Sequence, residues 1–286
     1  MQFQITHCTT YTYSQPIRLH PHVVRLRPRS DASQTLQQFS LDVTPHPLGT
    51  SDVLDLEGNT IVQLWFAEVE TTHLDIHVVS QVETLCTNPF NYQLDTWAVT
   101  LPIDYPAAIA AQLKPYLGGE SLFPIGRDAT VMQLALELYQ ATEGNSISFL
   151  TALNQRIYET CQYILRETGD PLPAGLTWQQ KAGTCRDFAV LFMEACRCVG
   201  LAARFVSGYQ QGDPDTTDFH LHAWAEAYLP GAGWRGYDPT HGLAVADGHV
   251  ALAASSLPFQ AAPVAGSFRP SQATSKIDYR LLIQAL

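Results

Sequence analysis

The run Lys181-Ala182-Gly183-Thr184-Cys185-Arg186-Asp187-Phe188-Ala189-Val190-Leu191-Phe192 constrains the fold more than any other stretch, because it reads as the start of a buried helix that opens on a cysteine. Gly183 permits a tight backbone entry, and Thr184 is a good N-cap whose hydroxyl accepts a hydrogen bond from a first-turn amide. Phe188, Leu191, Phe192, Ala195 and Val199 recur at the three-and-four spacing of an apolar stripe, and Gly200 stands at the expected stop. The spacing predicts a helix from Cys185 to about Val199. A thiol in its first turn feels the partial positive charge of amides that lack intrahelical partners, which favours the attacking thiolate. A lone cysteine is ordinarily a small buried hydrophobe, so the nucleophile reading needs partners elsewhere in the chain.

Two partners lie downstream. His222 to Leu229 alternates large polar or aromatic residues with small apolar ones, the pattern of a strand with two unlike faces. Pro230 to Gly233 turns it into Trp234-Arg235-Gly236-Tyr237-Asp238-Pro239. If Tyr228 pairs with Trp234, then Trp224 pairs with Asp238, and His222 and Asp238 share one end and one face of the sheet. A cysteine nucleophile works with an imidazole that takes or shares its proton, and the imidazole needs a third group to fix its tautomer. Cys185, His222 and Asp238 are the candidate catalytic residues. Singly, His222 reads as a hydrogen-bonded strand-end histidine and Asp238 as a turn former before proline.

From Met1 to about Cys86 the apolar pattern has period two, as in Phe39, Leu41, Val43 and in Leu74, Ile76, Val78, which predicts a small antiparallel β-sandwich. Glu57-Gly58-Asn59 marks a hairpin between Val53–Leu56 and Ile61–Phe66. Prolines and weak periodicity between Asn88 and Pro106 place a boundary there, giving a β-rich domain over 1–95 and an α+β core over 96–286 with a carboxy-terminal extension. Helical spacing follows at Ala107–Leu113, at Val131 to Leu138 and at Leu150 to Ile164, with a loop at Gly169–Gly175. Ala203 to Tyr209 reads as a strand. Gly212 to Asp218 reads as a solvated acidic loop, since it lacks the glycine and terminal glutamate of a calcium-binding EF-hand. Ala251 to Ser275, rich in Ala, Ser and Pro, reads as an extended surface segment, and Ile277, Tyr279 and Leu281 as a last strand returning to a sheet.

A net charge of −11 over 286 residues argues against a nucleic-acid partner, which would require a basic stripe. No apolar run reaches membrane-spanning length and the start lacks the features of a signal peptide, so a cytoplasmic protein with no membrane partner is expected. The six cysteines are sparse, and reduced thiols are the expectation. Cys196 and Cys198, two apart on a predicted helix, point in different directions and read as packing residues. A metal site from His220 and His222 with Cys185, His241 and His249 is the rival reading, disfavoured by its loose spacing. No phosphate-cradling glycine loop or serine nucleophile elbow is present.

The segments Gly183-Thr184-Cys185-Arg186-Asp187-Phe188-Ala189, His222-Ala223-Trp224-Ala225-Glu226-Ala227-Tyr228-Leu229-Pro230-Gly231 and Gly233-Trp234-Arg235-Gly236-Tyr237-Asp238-Pro239-Thr240 resemble the bacterial transglutaminase-like superfamily. The resemblance implies a papain-like core, a helix-borne cysteine packed on an antiparallel sheet, preceded by a β accessory domain. It also implies a triad with Cys185 as nucleophile, His222 as general base and acid, and Asp238 as the orienting group. Leu221 stands where many relatives have Ser, His241 where they have Asn, and Ala254-Ser255-Ser256-Leu257 where they have Gly-Arg-Asp-Tyr. The implied chemistry is acyl transfer on an amide of a protein or peptide substrate through a thioester, without cofactor or metal. Hydrolysis by a cysteine protease or amidase is the first expectation, glutamine–lysine cross-linking the second, and a catalytically silent binding module the third. Analogy with papain-like enzymes suggests Gln179 as a second oxyanion donor beside the Cys185 amide.

Overall fold

Strand β1 (Gln2–Val24) runs for 23 residues and is the spine of the amino-terminal sheet. The computed structural model of the protein describes residues 1–118, 128–166, 168–212 and 221–286. In β1 Phe3, Ile5, His7 and Thr9 are buried while the residues between them are half-buried, the period-two pattern of a strand with one face on a core. Strands β2 (Gln34–Thr44), β3 (Gly49–Leu54), β4 (Thr60–Trp65) and β5 (Glu70–Thr84) join it in the order β2-β5-β1-β4-β3, all antiparallel. The β3–β4 hairpin forms around Glu57-Gly58-Asn59 as expected, with Gly58 at φ 77°, a left-handed conformation that glycine adopts without strain. Between Thr12 and Ile17 the pairing of β1 with β5 slips register. Further along, at His22–Val24, β1 pairs with β4. The two layers expected of residues 1–95 are thus one curled sheet, with Phe3, Ile5, Ile17, Leu64, Leu74 and Ile76 in a core that Tyr209, Val250 and Leu252 complete.

The core follows a short 3₁₀ turn at Thr96–Ala98. Helices α1 (Ala107–Leu113), α2 (Ala129–Ala141) and α3 (Ser146–Thr160) occupy the predicted segments. Helix α3 stops short of Ile164, because the chain turns extended at Cys161 to form β6 (Gln162–Tyr163), which pairs in parallel with β7 (Ala182–Gly183). A short helix, α4 (Ala174–Gln180), begins within the predicted loop directly after Pro173, whose fixed φ suits a helix entry. Helix α5 (Cys185–Cys198) then runs through the centre of the core. Phe188, Leu191 and Phe192 are almost fully buried, each contributing about 1.5–3 kcal/mol of apolar transfer. Gly200 follows the stop at φ 77°.

Helix α5 packs on β8 (Ala203–Gln210) and β9 (Leu221–Leu229) of a five-stranded antiparallel sheet. With β10 (Gly233–Asp238), β11 (Leu243–Ala244) and β12 (His249–Ser255) its order is β11-β10-β9-β8-β12. Strand β12 corrects the expectation of a surface segment from Ala251, since all seven of its residues are buried. A strand covered on both faces carries a continuous apolar run, here Val250 to Ala254, and shows no alternation to read. The last strands, β13 (Val264–Arg269) and β14 (Ser275–Ala285), both pair with β1. The stretch grouped by sequence with the core as its extension therefore hydrogen-bonds to the amino-terminal sheet.

Side chains join the two sheets. The carboxamide of Gln34 donates to the Ala251 carbonyl at 2.9 Å and accepts from the Ala251 amide at 2.7 Å. Asn59 does the same to Ala254, at 2.9 Å in both directions. Both act on β12, the edge strand of the core sheet. Nearby, His7 lies against Tyr209 on β8, its Nδ1 2.9 Å from the phenol oxygen. Among the described residues no helix is long and apolar enough to cross a membrane. The stretch Asp213–Asp218 and His220 lie outside the described residues.

Candidate active site

The first turn of α5 is fixed by a reciprocal cap. The Thr184 hydroxyl accepts from the Asp187 amide, and Asp187 Oδ2 accepts from the Thr184 amide at 2.8 Å. Asp187 Oδ1 also accepts from the Leu172 amide at 2.6 Å and from Arg166 Nη2 at 2.7 Å. Burial opposes ionisation of this carboxyl, but those hydrogen bonds outweigh it and hold Asp187 below the usual carboxylate range. Arg186 donates to the Arg166 carbonyl. Asp187 and Arg186 thus support the helix start and hold Arg166 and Leu172 next to it. Pairing of Tyr163 with Gly183 sets that phenol beside the cysteine. Burial first, and then the neighbouring Cys185 sulfur, push Tyr163 up to about 12.

The hairpin of β9 and β10 has the register that parity required. Trp234 pairs with Tyr228 and Tyr237 with Ala225, which brings Asp238 level with Trp224. His222 Nε2 then lies 2.8 Å from Asp238 Oδ2, donating to the carboxylate. That bond leaves Nδ1 as the ring nitrogen for Cys185, with which His222 also hydrogen-bonds. Burial alone would push this imidazole down. The charge and hydrogen bond of Asp238, reinforced by Cys185, reverse the shift and raise His222 to about 10. The Trp224 ring supports the imidazole at 6.3 Å between centroids and lies over Gly208, where an added Cβ would come within 2.4 Å of the indole.

Asp238 gathers more than one imidazole. His241 Nδ1 approaches its Oδ2 at 2.8 Å and His249 Nε2 at 3.2 Å, while Oδ1 accepts from the Thr240 amide at 3.0 Å. The carboxylate is wholly buried, which by itself would raise it, yet the His222 charge and the histidine hydrogen bonds hold it well below its usual range. His249 is pushed down by burial despite Asp238. His222, Asp238 and His241 are the one group among the described residues whose ligand atoms could converge on a metal, all within 4.8 Å of one another. Those nitrogens already serve as donors to the carboxylate. Sequence had offered His241 and His249 only as remote metal ligands, and their place around Asp238 was missed. His241 follows Asp238 by three residues in a turn, whereas His249 arrives by way of β11 and β12 and leaves no local signal.

Cys185 and His222 line a cavity of ≈290 Å³. Gln179 is absent from its lining and exposed on α4, so the structure does not bring it to the sulfur. A papain-like position was expected for it, but α4 turns the side chain to solvent. Trp224 and Tyr237 are core, with Tyr237 stacked on Phe192 at 5.5 Å. Trp234 packs between Tyr116 and Tyr228. The cleft also has a wall that sequence did not suggest: Thr9 and Tyr11 of β1 with Ile277 and Tyr279 of β14.

A cysteine at a helix start, facing a histidine and an aspartate on an antiparallel sheet with a curled β-sheet before it, defines an α/β protein of transglutaminase-like fold. Residues 3–83 match the bacterial transglutaminase-like N-terminal region and residues 133–239 the transglutaminase-like superfamily. The chain belongs to the transglutaminase-like superfamily. It is 24% identical to an uncharacterized protein of Mycobacterium leprae over 279 residues, 96% of this chain and 95% of that one. Over 131 residues it is 30% identical to a protein-glutamine gamma-glutamyltransferase of Pseudomonas aeruginosa, 42% of this chain and 20% of the relative. A candidate cysteine protease from Cytophaga hutchinsonii shares the fold at a TM-score of 0.73 and 24% identity, covering 100% of this chain and 91% of that structure.

Proposed function

We propose that the protein is a cysteine-dependent acyl-transfer enzyme that cleaves an amide bond of a peptide or isopeptide through a thioester on Cys185. One observation carries the reading: the buried His222 imidazole hydrogen-bonds Asp238 on one side and Cys185 on the other. With its pKa raised to about 10, His222 is protonated near neutrality and hydrogen-bonded to the attacking sulfur. Sulfur adds to the carbonyl carbon, and the oxyanion is received by the Cys185 amide at the first position of α5, whose N–H has no intrahelical acceptor. Of the phenols lining the cleft, Tyr163, set beside Cys185 by the pairing with Gly183, is the one offered as a second donor in place of Gln179. His222 gives its proton to the leaving amine as the C–N bond breaks, leaving an acyl-thioester. Water then adds to the thioester, His222 takes its proton, and the C–S bond breaks to release the carboxylate and restore Cys185.

An amine in place of water would give transamidation, a second outcome favoured by the likeness to the Pseudomonas aeruginosa glutamyltransferase. Mass spectrometry of products from a peptide mixture, with and without an added primary amine, distinguishes the two. The wild-type protein is expected to accumulate an acyl adduct on Cys185 and to yield product, and Cys185→Ala to yield neither. Product formation that survives in Cys185→Ala would overturn the proposal.

A further inference from the structure

The sheet wall of the cleft has no role in the chemistry just described, and it faces the nucleophile. We propose that the amino-terminal sheet reads the substrate, selecting amides whose acyl residue carries a large apolar or aromatic side chain. The inference rests on the acyl-transfer reading and names the substrate class of that same site.

Tyr11 pairs with Ile277 and Thr9 with Tyr279 across β1 and β14. On one face of an antiparallel pair, directly opposed residues stand side by side, so these four form a continuous two-by-two patch. Farther along the same face Ile5, Ile283 and Leu281 sink into a core shared with Tyr209, Val250 and Leu252 of the other sheet, whereas at this end the row emerges into the cavity with Cys185 and His222. Phe205 and Leu221 of the core sheet line the same cavity, with Ser207 beside them, so each sheet contributes apolar side chains and none that is charged apart from His222.

Between the two sheets the described residues offer little to a charged side chain. Among the described residues, the charged side chains that line the cavity, apart from the Cys185–His222 pair, are Arg166, Arg186 and Asp170. Arg166 is engaged by Asp187 at 2.7 Å and by the Asp170 carbonyl at 2.8 Å, and Arg186 by the Arg166 carbonyl. Asp170 is exposed at the rim. A charged side chain entering between the sheets would lose its water against Tyr11, Ile277, Phe205 and Leu221, which carry no charge, whereas an apolar one gains the burial of its whole surface. The cavity, at ≈290 Å³, has the size for a large side chain.

Irreversible labels test this without knowledge of the natural substrate. Peptidyl chloromethyl ketones with Phe, Gly, Asp or Lys beside the ketone are reacted with the full chain, and modification of Cys185 is timed alongside iodoacetamide, which is too small to reach the sheet wall. The Phe reagent is expected to react about ten- to a hundredfold faster than the other three. Ile277→Thr, which keeps a strand-compatible β-branched residue, and Tyr11→Ala should each erase most of that preference while the iodoacetamide rate stays at the wild-type value. Lys276→Ala, on the outer face next to Ile277, should change nothing. Equal rates for the four peptidyl reagents, or a Phe preference intact in both wall variants, would overturn the inference and leave the acyl-transfer reading standing. A Cys185 inert to iodoacetamide and to every peptidyl reagent would remove both.

Discussion

His7 in the amino-terminal sheet and His222 in the core sheet are the same residue in nearly the same degree of burial, 0% and 9% exposed, yet their basicities move in opposite directions. His7 is pushed down to about 4 by burial, its ring nitrogens met only by the neutral hydroxyls of Tyr209 and Thr9, each at 2.9 Å. His222 is raised to about 10 because a buried carboxylate lies 2.8 Å away. Burial is therefore not what prepares a histidine for catalysis. The decisive element is the charge that is buried with it, and the fold confines that charge to one end of the core sheet.

Removing the charge should collapse the contrast and produce the largest effect. Asp238→Asn is expected to make His222 resemble His7, lowering its pKa below 6.5 and reducing kcat roughly 10³–10⁴-fold. A titration of the His222 ring by NMR, set beside the rate, checks both halves. A variant whose His222 still titrates near 10 would show that Cys185 alone sustains the shift.

The next effect belongs to the other histidine. His7 binds a proton at about 4 in the folded protein against 6.5 unfolded, so the unfolded chain takes up more protons in that window and stability falls with pH. Acidification from 6.5 to 4 should cost up to about 3 kcal/mol at this residue, and His7→Gln should flatten that limb of the urea midpoint against pH. His222 has the opposite sign. Its raised value contributes stability that is complete below 6.5 and is lost as pH rises through about 10, so its loss appears on the alkaline limb.

Smaller losses follow at the join between the sheets. Asn59→Ala leaves the Ala254 amide and carbonyl without their side-chain partner and should cost about 1–3 kcal/mol in denaturant melts. The least is expected of His241→Asn. Its ring is 42% exposed, and Asp238 keeps His222, His249 and the Thr240 amide, so kcat/KM should fall by less than about tenfold. A larger loss would mean that His241, the residue standing where relatives carry asparagine, does more than share the carboxylate.

What the sequence disclosed follows the same division. Helix α5 was legible because one stripe, a capping threonine and a closing glycine all agree, and the β9–β10 register because a hairpin of fixed length leaves parity only one solution. Strand β12 was hidden since both its faces are covered and nothing alternates. Helix α4 was masked by the prolines and glycine at its start, and with it went the correct orientation of Gln179. The sheet wall of the cleft was illegible for a different reason. Tyr11 and Ile277 are 266 positions apart, and only the closure of β14 onto β1 makes them neighbours.

The two carboxamides on β12 have a consequence for the molecule among its own copies. Left bare, the outer rim of that short strand would offer its main-chain donors and acceptors to any extended segment, and extended segments of identical chains are the commonest takers. Gln34 and Asn59 imitate such a segment from within the molecule, filling the places a second chain would occupy. At Ala251 and Ala254 the rim is thereby closed from within, and its main-chain groups there are already paired.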